Sequence, residues 1–154
     1  MSRLLSTSLF ALALLVAGCA SENSDTTSDS EASESAASEY LADMVITDLV
    51  EGDGNMIAAG QTAVAHYTLW FRDVSAEDEK GEMVQSSKEG GEPIPFQIGV
   101  GRVIAGWDQG VPGMKIGGTR ELRVPYSLAY GEAGRPGIPA MQDLIFEIEL
   151  VDIR

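Results

Sequence analysis

The residues from which thiol, metal and nucleophilic sites are built are nearly missing from this sequence. One cysteine, Cys19, and one histidine, His66, occur in 154 residues. A single thiol excludes an internal disulfide, and beyond Cys19 one imidazole with no sulfur ligand argues against a zinc site. No Ser-His-Asp or Cys-His signature is present. Positive charge is also scarce, with 10 Lys and Arg against 24 Asp and Glu and a formal net charge of -14. Lys and Arg cluster nowhere along the chain, which excludes a basic nucleic-acid footprint. The same charge disfavours contact between the folded part and anionic lipid. The one extended apolar run, Leu4 to Val16, is interrupted by Ser6, Thr7 and Ser8 and falls short of the ~20 residues a spanning helix needs. No internal repeat is present.

What is there divides into three parts. Arg3, the apolar run and the small residues closing on Cys19 have signal-peptide architecture. The segment Val16-Ala17-Gly18-Cys19 resembles the lipobox of bacterial lipoproteins, in which the cysteine thiol receives a diacylglycerol before cleavage. Residues 1–18 are expected to be a lipoprotein signal peptide and Cys19 the lipidated first residue. The alternative, a buried free thiol, accounts less well for the small residues ahead of it. Several acyl chains would anchor stably, at about 0.8 kcal/mol per buried methylene. Ala20 resembles the next position of lipoproteins sorted to an outer membrane, which implies the periplasmic face of that membrane. Residues 19–39 are Ser-rich and acidic with no Lys or Arg, and cannot bury enough surface to offset their ordering entropy. They are expected to be a disordered tether with a reach of about 25 Å.

From Tyr40 the pattern becomes short alternating segments with glycine-rich punctuation, which predicts a mostly antiparallel β domain over residues 40–154. Strands are expected at Met44 to Val50, Gln61 to Phe71, Met83 to Ser86, Ile94 to Ile98 and Thr119 to Val124. The last strand is the clearest: Leu144, Phe146, Ile148 and Leu150 share one face, Glu147 and Glu149 the other. Only Ile104 to Val111 reads as helical, and Pro112-Gly113 stops it. One short helix cannot form its own layer, so the sheet must curve over it. The acidic loop from Arg72 to Gly81 reads as a solvated excursion.

Four stretches, in order, resemble the FKBP family of peptidyl-prolyl cis/trans isomerases. They are Ala65-His66-Tyr67-Thr68, Val103 to Gly110, Leu128-Ala129-Tyr130-Gly131, and Ile138-Pro139 followed by Leu144 to Leu150. The resemblance implies an α+β fold, a curved antiparallel sheet of five or six strands wrapped around one short helix, with the substrate pocket between them. It also implies roles. Trp107 would be the pocket floor, with Tyr67, Phe146, Val103 and Ile94 as walls and Phe96 packing in the sheet. The Ile104 backbone N–H and the Tyr130 hydroxyl would meet substrate carbonyls, and Ile138 would cap the pocket from the loop after Gly131. By residue type alone core is the better reading of Trp107 and Phe146, which the surrounding signature reverses, and Tyr130 reads as a tyrosine bonded to loop backbone. His66 alternates with Tyr67 and would face away from the pocket.

Such a site suits a reaction that breaks no bond and uses no cofactor or metal. Rotation about an X-Pro amide costs its resonance, a barrier of ~18–20 kcal/mol, and the twisted amide has less charge separation than the planar one. An apolar pocket therefore disfavours the ground state more than the transition state. A contribution of about 6–8 kcal/mol corresponds to an acceleration on the order of 10⁴ to 10⁶. The implied partners are proline-containing, unfolded or partly folded polypeptides of the cell envelope, together with the macrolide ligands of the family, met by a monomeric domain. The sequence departs from the family at Val84 and Gln85, where phenylalanine and aspartate are usual, and at Leu69, where glycine is usual. Val84 shrinks a wall, and Gln85 accepts hydrogen bonds without a charge. These changes leave open a second function, a low-activity chaperone module that holds extended chains.

Overall fold

The computed structural model describes residues 40–154; the signal-peptide, lipidation and tether expectations for residues 1–39 lie outside them. The strands are β1 (Val45–Val50), β2 (Thr62–Arg72), β3 (Lys80–Ser86), β4 (Ile94–Gln97), β5 (Thr119–Val124) and β6 (Leu144–Ile153), with one α-helix among the described residues, α1 (Ala105–Gly110), between β4 and β5. All pairings are antiparallel, in the order β1-β5-β6-β2-β3, and β4 pairs with the first part of β2. β3 and β4 thus share one edge of β2. The architecture is α+β, a six-stranded sheet around one short helix. Among the described residues no helix is long and apolar enough to cross a membrane.

The core lies on one face of the sheet. Leu144, Phe146, Ile148 and Leu150 of β6 project there at the strand period of two, beside Ala63, Ala65 and Leu69 of β2 and Leu122 and Val124 of β5. Helix α1 closes this face through two glycines. A Cβ at Gly110 would lie 2.7 Å from a Leu122 methyl, and one at Gly106 3.0 Å from Val124 Cγ2 with Cγ1 nearer still. The helix can approach β5 this closely only because those side chains are missing. Its C-terminal end is held by Arg120, whose Nη1 donates to the carbonyls of Gly110 (2.8 Å) and Pro112 (3.2 Å) while the rest of the guanidinium binds Asp48 of β1.

The opposite face carries a charge lattice. Glu121 accepts from Arg123 and pairs with Lys80 at 2.9 Å, and Lys88 pairs with Glu149 at 3.0 Å. The acidic loop after β2 is tied into this lattice, because Glu79 binds both Arg72 and Arg123. The solvated excursion expected from composition is accordingly anchored at its end. β1 pairs only with β5, and its residues are exposed throughout.

Candidate active site

Between α1 and the sheet lies a cavity of about 610 Å³. Trp107, on the buried side of α1, is one of the residues that line it. Its indole is 6% exposed and sits in a box of rings: Phe96 of β4 at 4.6 Å between centroids, and Tyr67 of β2 and Phe146 of β6 each at 5.3 Å in edge-on geometry. Such offset and edge contacts are the favourable arrangements for aromatic quadrupoles. The indole N–H is buried with no acceptor in reach, so packing alone orients the ring.

The chain ahead of α1 is held by the helix itself. Both Asp108 carboxylate oxygens accept backbone N–H groups, Gly99 and Gly101, at 2.7 Å, which fixes the turn leading into Arg102-Val103-Ile104. Val103 and Ile104 line the cavity. Ile104 remains extended at φ -60°, ψ 149°, and among the described residues its backbone N–H donates to no protein acceptor.

Tyr130 reaches the cavity from a turn built on Asp143. That carboxylate is buried, accepts from the N–H groups of Leu41 and Tyr126, and faces Arg72 of β2 at 3.5 Å. Tyr126 O then accepts from Ala129 (3.0 Å) and Gly131 (2.8 Å), which clasps Tyr130 between them. Burial pushes the Tyr67 hydroxyl pKa above its usual value, Tyr130 adds to the rise and Arg135 opposes it. The phenol therefore stays a neutral hydrogen-bond donor at any ordinary pH.

Of the residues singled out from sequence, Tyr67, Gln85, Ile94, Val103, Ile104, Trp107, Tyr130 and Phe146 line this one cavity. Val84 and Ile138 do not. Val84 is skipped between the pairs Leu69–Gln85 and Trp70–Met83, so it is the extra residue of a β-bulge and packs at the core margin. Ile138 exchanges backbone hydrogen bonds with Arg135 at 3.0 and 2.8 Å. In this tight turn, with Gly134 at φ +66° and no room for a Cβ beside the Ile138 carbonyl at 2.5 Å, Ile138 is buried in the core cluster that also holds Trp107 and Phe146.

Sequence reasoning did not find Arg102 and Arg135, which also line the cavity. They stand far apart in the chain, and no charge cluster announced them. The Arg135 guanidinium lies 4.4 Å over the Tyr130 ring. His66 points to the other face, with Nδ1 3.2 Å from Ser87 Oγ.

Comparison with known proteins agrees with this geometry. Residues 54–151 match the FKBP-type peptidyl-prolyl cis-trans isomerase family. The chain is 46% identical over 113 residues to an FK506-binding protein of Streptomyces anulatus, covering 72% of this chain and 86% of that one. It is 57% identical over 77 residues to the peptidyl-prolyl cis-trans isomerase FPR2 of Saccharomyces cerevisiae, covering 49% and 57%. The crystal structure of AtFKBP13 superposes with a TM-score of 0.62 at 36% identity, covering 75% of this chain and 96% of that one. With a sheet wrapped around one short helix, a matching family model over most of the described domain and relatives that cover it nearly end to end, this chain belongs to the FKBP-type peptidyl-prolyl cis-trans isomerases.

Proposed function

We propose that the cavity around Trp107 rotates X-Pro bonds in secreted or envelope polypeptides, and that the protein does so as a lipoprotein held at a membrane surface through Cys19. The observation that carries the catalytic part is the aromatic box itself, in which Tyr67 and Phe146 stand edge-on to Trp107 and all three line the cleft. The proline ring would rest on the indole face, and the amide ahead of it would leave water for apolar surroundings. The planar amide loses more solvation there than the twisted one does, which lowers the barrier. The Ile104 N–H has no protein acceptor and can receive a substrate carbonyl, and the Tyr130 hydroxyl can hold a second. No proton is transferred and no covalent intermediate forms, so none of these groups need titrate. Macrolides that imitate a twisted prolyl amide would compete for the same surface.

The envelope role rests on the first 39 residues, with 1–18 as signal peptide, 19–39 as lipidated tether and 40–154 as the isomerase domain. An anchor of this kind leaves the domain free to meet unfolded chains near the periplasmic face of the outer membrane, and the reaction needs no nucleotide. Cys19→Ser should shift the protein from the membrane fraction to soluble or unprocessed form, and unchanged partition would end the lipoprotein reading.

The catalytic reading is tested by following cis-to-trans relaxation of a Leu-Pro tetrapeptide with the protein added. A rate increase that saturates with peptide and is abolished by the macrolide is expected. No increase, with suppressed aggregation of an unfolded client, would instead favour the holding function that Gln85 leaves open, since its side chain supplies no charge to the cavity.

A further inference from the structure

Two cations differ from every other described one. Arg102 and Arg135 line the cavity, and neither forms an ion pair, whereas each remaining described Lys and Arg has a carboxylate partner. Acid is not in short supply in a chain with 24 Asp and Glu. It is kept away from this place: no Asp or Glu lines the cavity. Asp108, near Arg102 in the chain, spends both oxygens on Gly99 and Gly101 N–H groups. Glu132, in the same loop as Arg135, makes no ion pair with it.

Arg135 is also pre-placed. Its guanidinium stacks on Tyr130 at 4.4 Å, so the planar fork is already partly ordered at the cavity wall, and its charge reaches the Tyr67 hydroxyl. Both arginines are exposed, with donors available to a ligand. A protein of net charge -14 repels acidic peptides at long range, but within a Debye length of about 8 Å at physiological salt the nearby cations dominate. Guanidinium groups match carboxylates in geometry as well as charge.

We propose that Arg102 and Arg135 set substrate preference, selecting segments that carry an Asp or Glu side chain next to the proline. This rests on the isomerase reading of the cavity and adds the class of substrate to it. Exposed guanidinium–carboxylate contacts are individually weak, so the preference expected from the pair is about three- to tenfold in kcat/KM.

The test uses the full chain and tetrapeptides with acetyl and amide ends. Ala-Glu-Pro-Phe is compared with its neutral isostere Ala-Gln-Pro-Phe, and Ala-Leu-Pro-Glu with Ala-Leu-Pro-Gln, so that the side of the proline carrying the carboxylate is identified. At low salt the Glu-to-Gln ratio should lie between three and ten for at least one pair. It should approach one near 1 M salt and in the double variant R102Q/R135Q. Ratios of one or below in both pairs overturn the proposal while glutamine-peptide turnover upholds the isomerase reading. A ratio that survives in the double variant removes the two arginines from the role. If no peptide is turned over, the isomerase reading falls, and the same ratio measured as affinity, by titrating tryptophan fluorescence, decides the charge preference by itself.

Discussion

Replacing Gly106 by Ala should damage both stability and turnover, although alanine is the better helix former. The Cβ would be placed 3.0 Å from Val124 Cγ2 and closer still to Cγ1, where carbon atoms prefer about 3.5–4.0 Å, so helix and strand must separate by about 1 Å. Val124 cannot yield, since it is fully buried in the core and its branched side chain has few rotamers. Overpacking of this kind costs about 1–3 kcal/mol, against a propensity gain of about 1 kcal/mol from removing a helical glycine. A net loss of up to about 2 kcal/mol is expected, a fall in Tm of up to roughly 10 °C for a domain of this size. The same displacement carries Trp107 and the Ile104 N–H with it. A shift near 1 Å at a positioning element can lower turnover by up to about 10²-fold. Urea unfolding followed by circular dichroism gives the first quantity, and relaxation of a Leu-Pro peptide gives the second. Gln109→Ala, on the exposed side of the same helix, should change neither. A Gly106→Ala protein as stable and as fast as the parent would refute the claim that close helix–sheet approach positions the site.

Three further outcomes follow from particular residues. Glu121→Gln should cost about 1–2 kcal/mol at neutral pH: burial alone would raise the carboxyl pKa, but Lys80 and Arg123 outweigh it and hold the value below its ordinary 4.5. A depressed carboxylate contributes stability above its unfolded pKa and loses it as pH falls through the lower folded value. The gap in unfolding free energy between parent and variant should therefore close below about pH 4, and a gap constant from pH 7 to pH 3 would contradict the assignment. Asp143→Ala strips a buried anion from Arg72 and from the Tyr126 turn, so a loss of about 3–5 kcal/mol is expected in denaturant unfolding; a loss under 1 kcal/mol would show that the turn holds without it. Tyr130→Phe should lower kcat/KM a few-fold while leaving Tm within a few degrees, as only a hydroxyl at the cavity wall is removed.

Much of the fold was legible because burial on one face imposes strict periods. β6 declared itself through Leu144, Phe146, Ile148 and Leu150, and α1 through the short apolar segment that Pro112-Gly113 ends. Where tertiary placement rather than period decides, the sequence was silent. Nothing in Val84 foretells a bulge, because the bulge arises from how β3 registers on β2. The resemblance implied Ile138 as a cap; in the turn it forms with Arg135 it is buried in the cluster around Trp107, and Arg135 is the residue of that turn that lines the cavity. The arginines escaped notice because charge clusters are sought along the chain, and these two, distant in sequence, share only the cavity they line. Glu79 seemed solvated by its neighbours Glu77 and Asp78, until cross-strand Arg72 and Arg123 gave it partners.

The most direct examination of the Trp107 cavity is the isomerisation rate of Trp107→Leu, measured on protein shown by urea unfolding to be folded. Leucine fills much of the space but offers no flat aromatic face, so kcat/KM for a Leu-Pro peptide should fall at least about tenfold, the loss of roughly 1.4 kcal/mol of transition-state stabilisation. A folded Trp107→Leu protein that turns the peptide over at the parent rate would contradict the account.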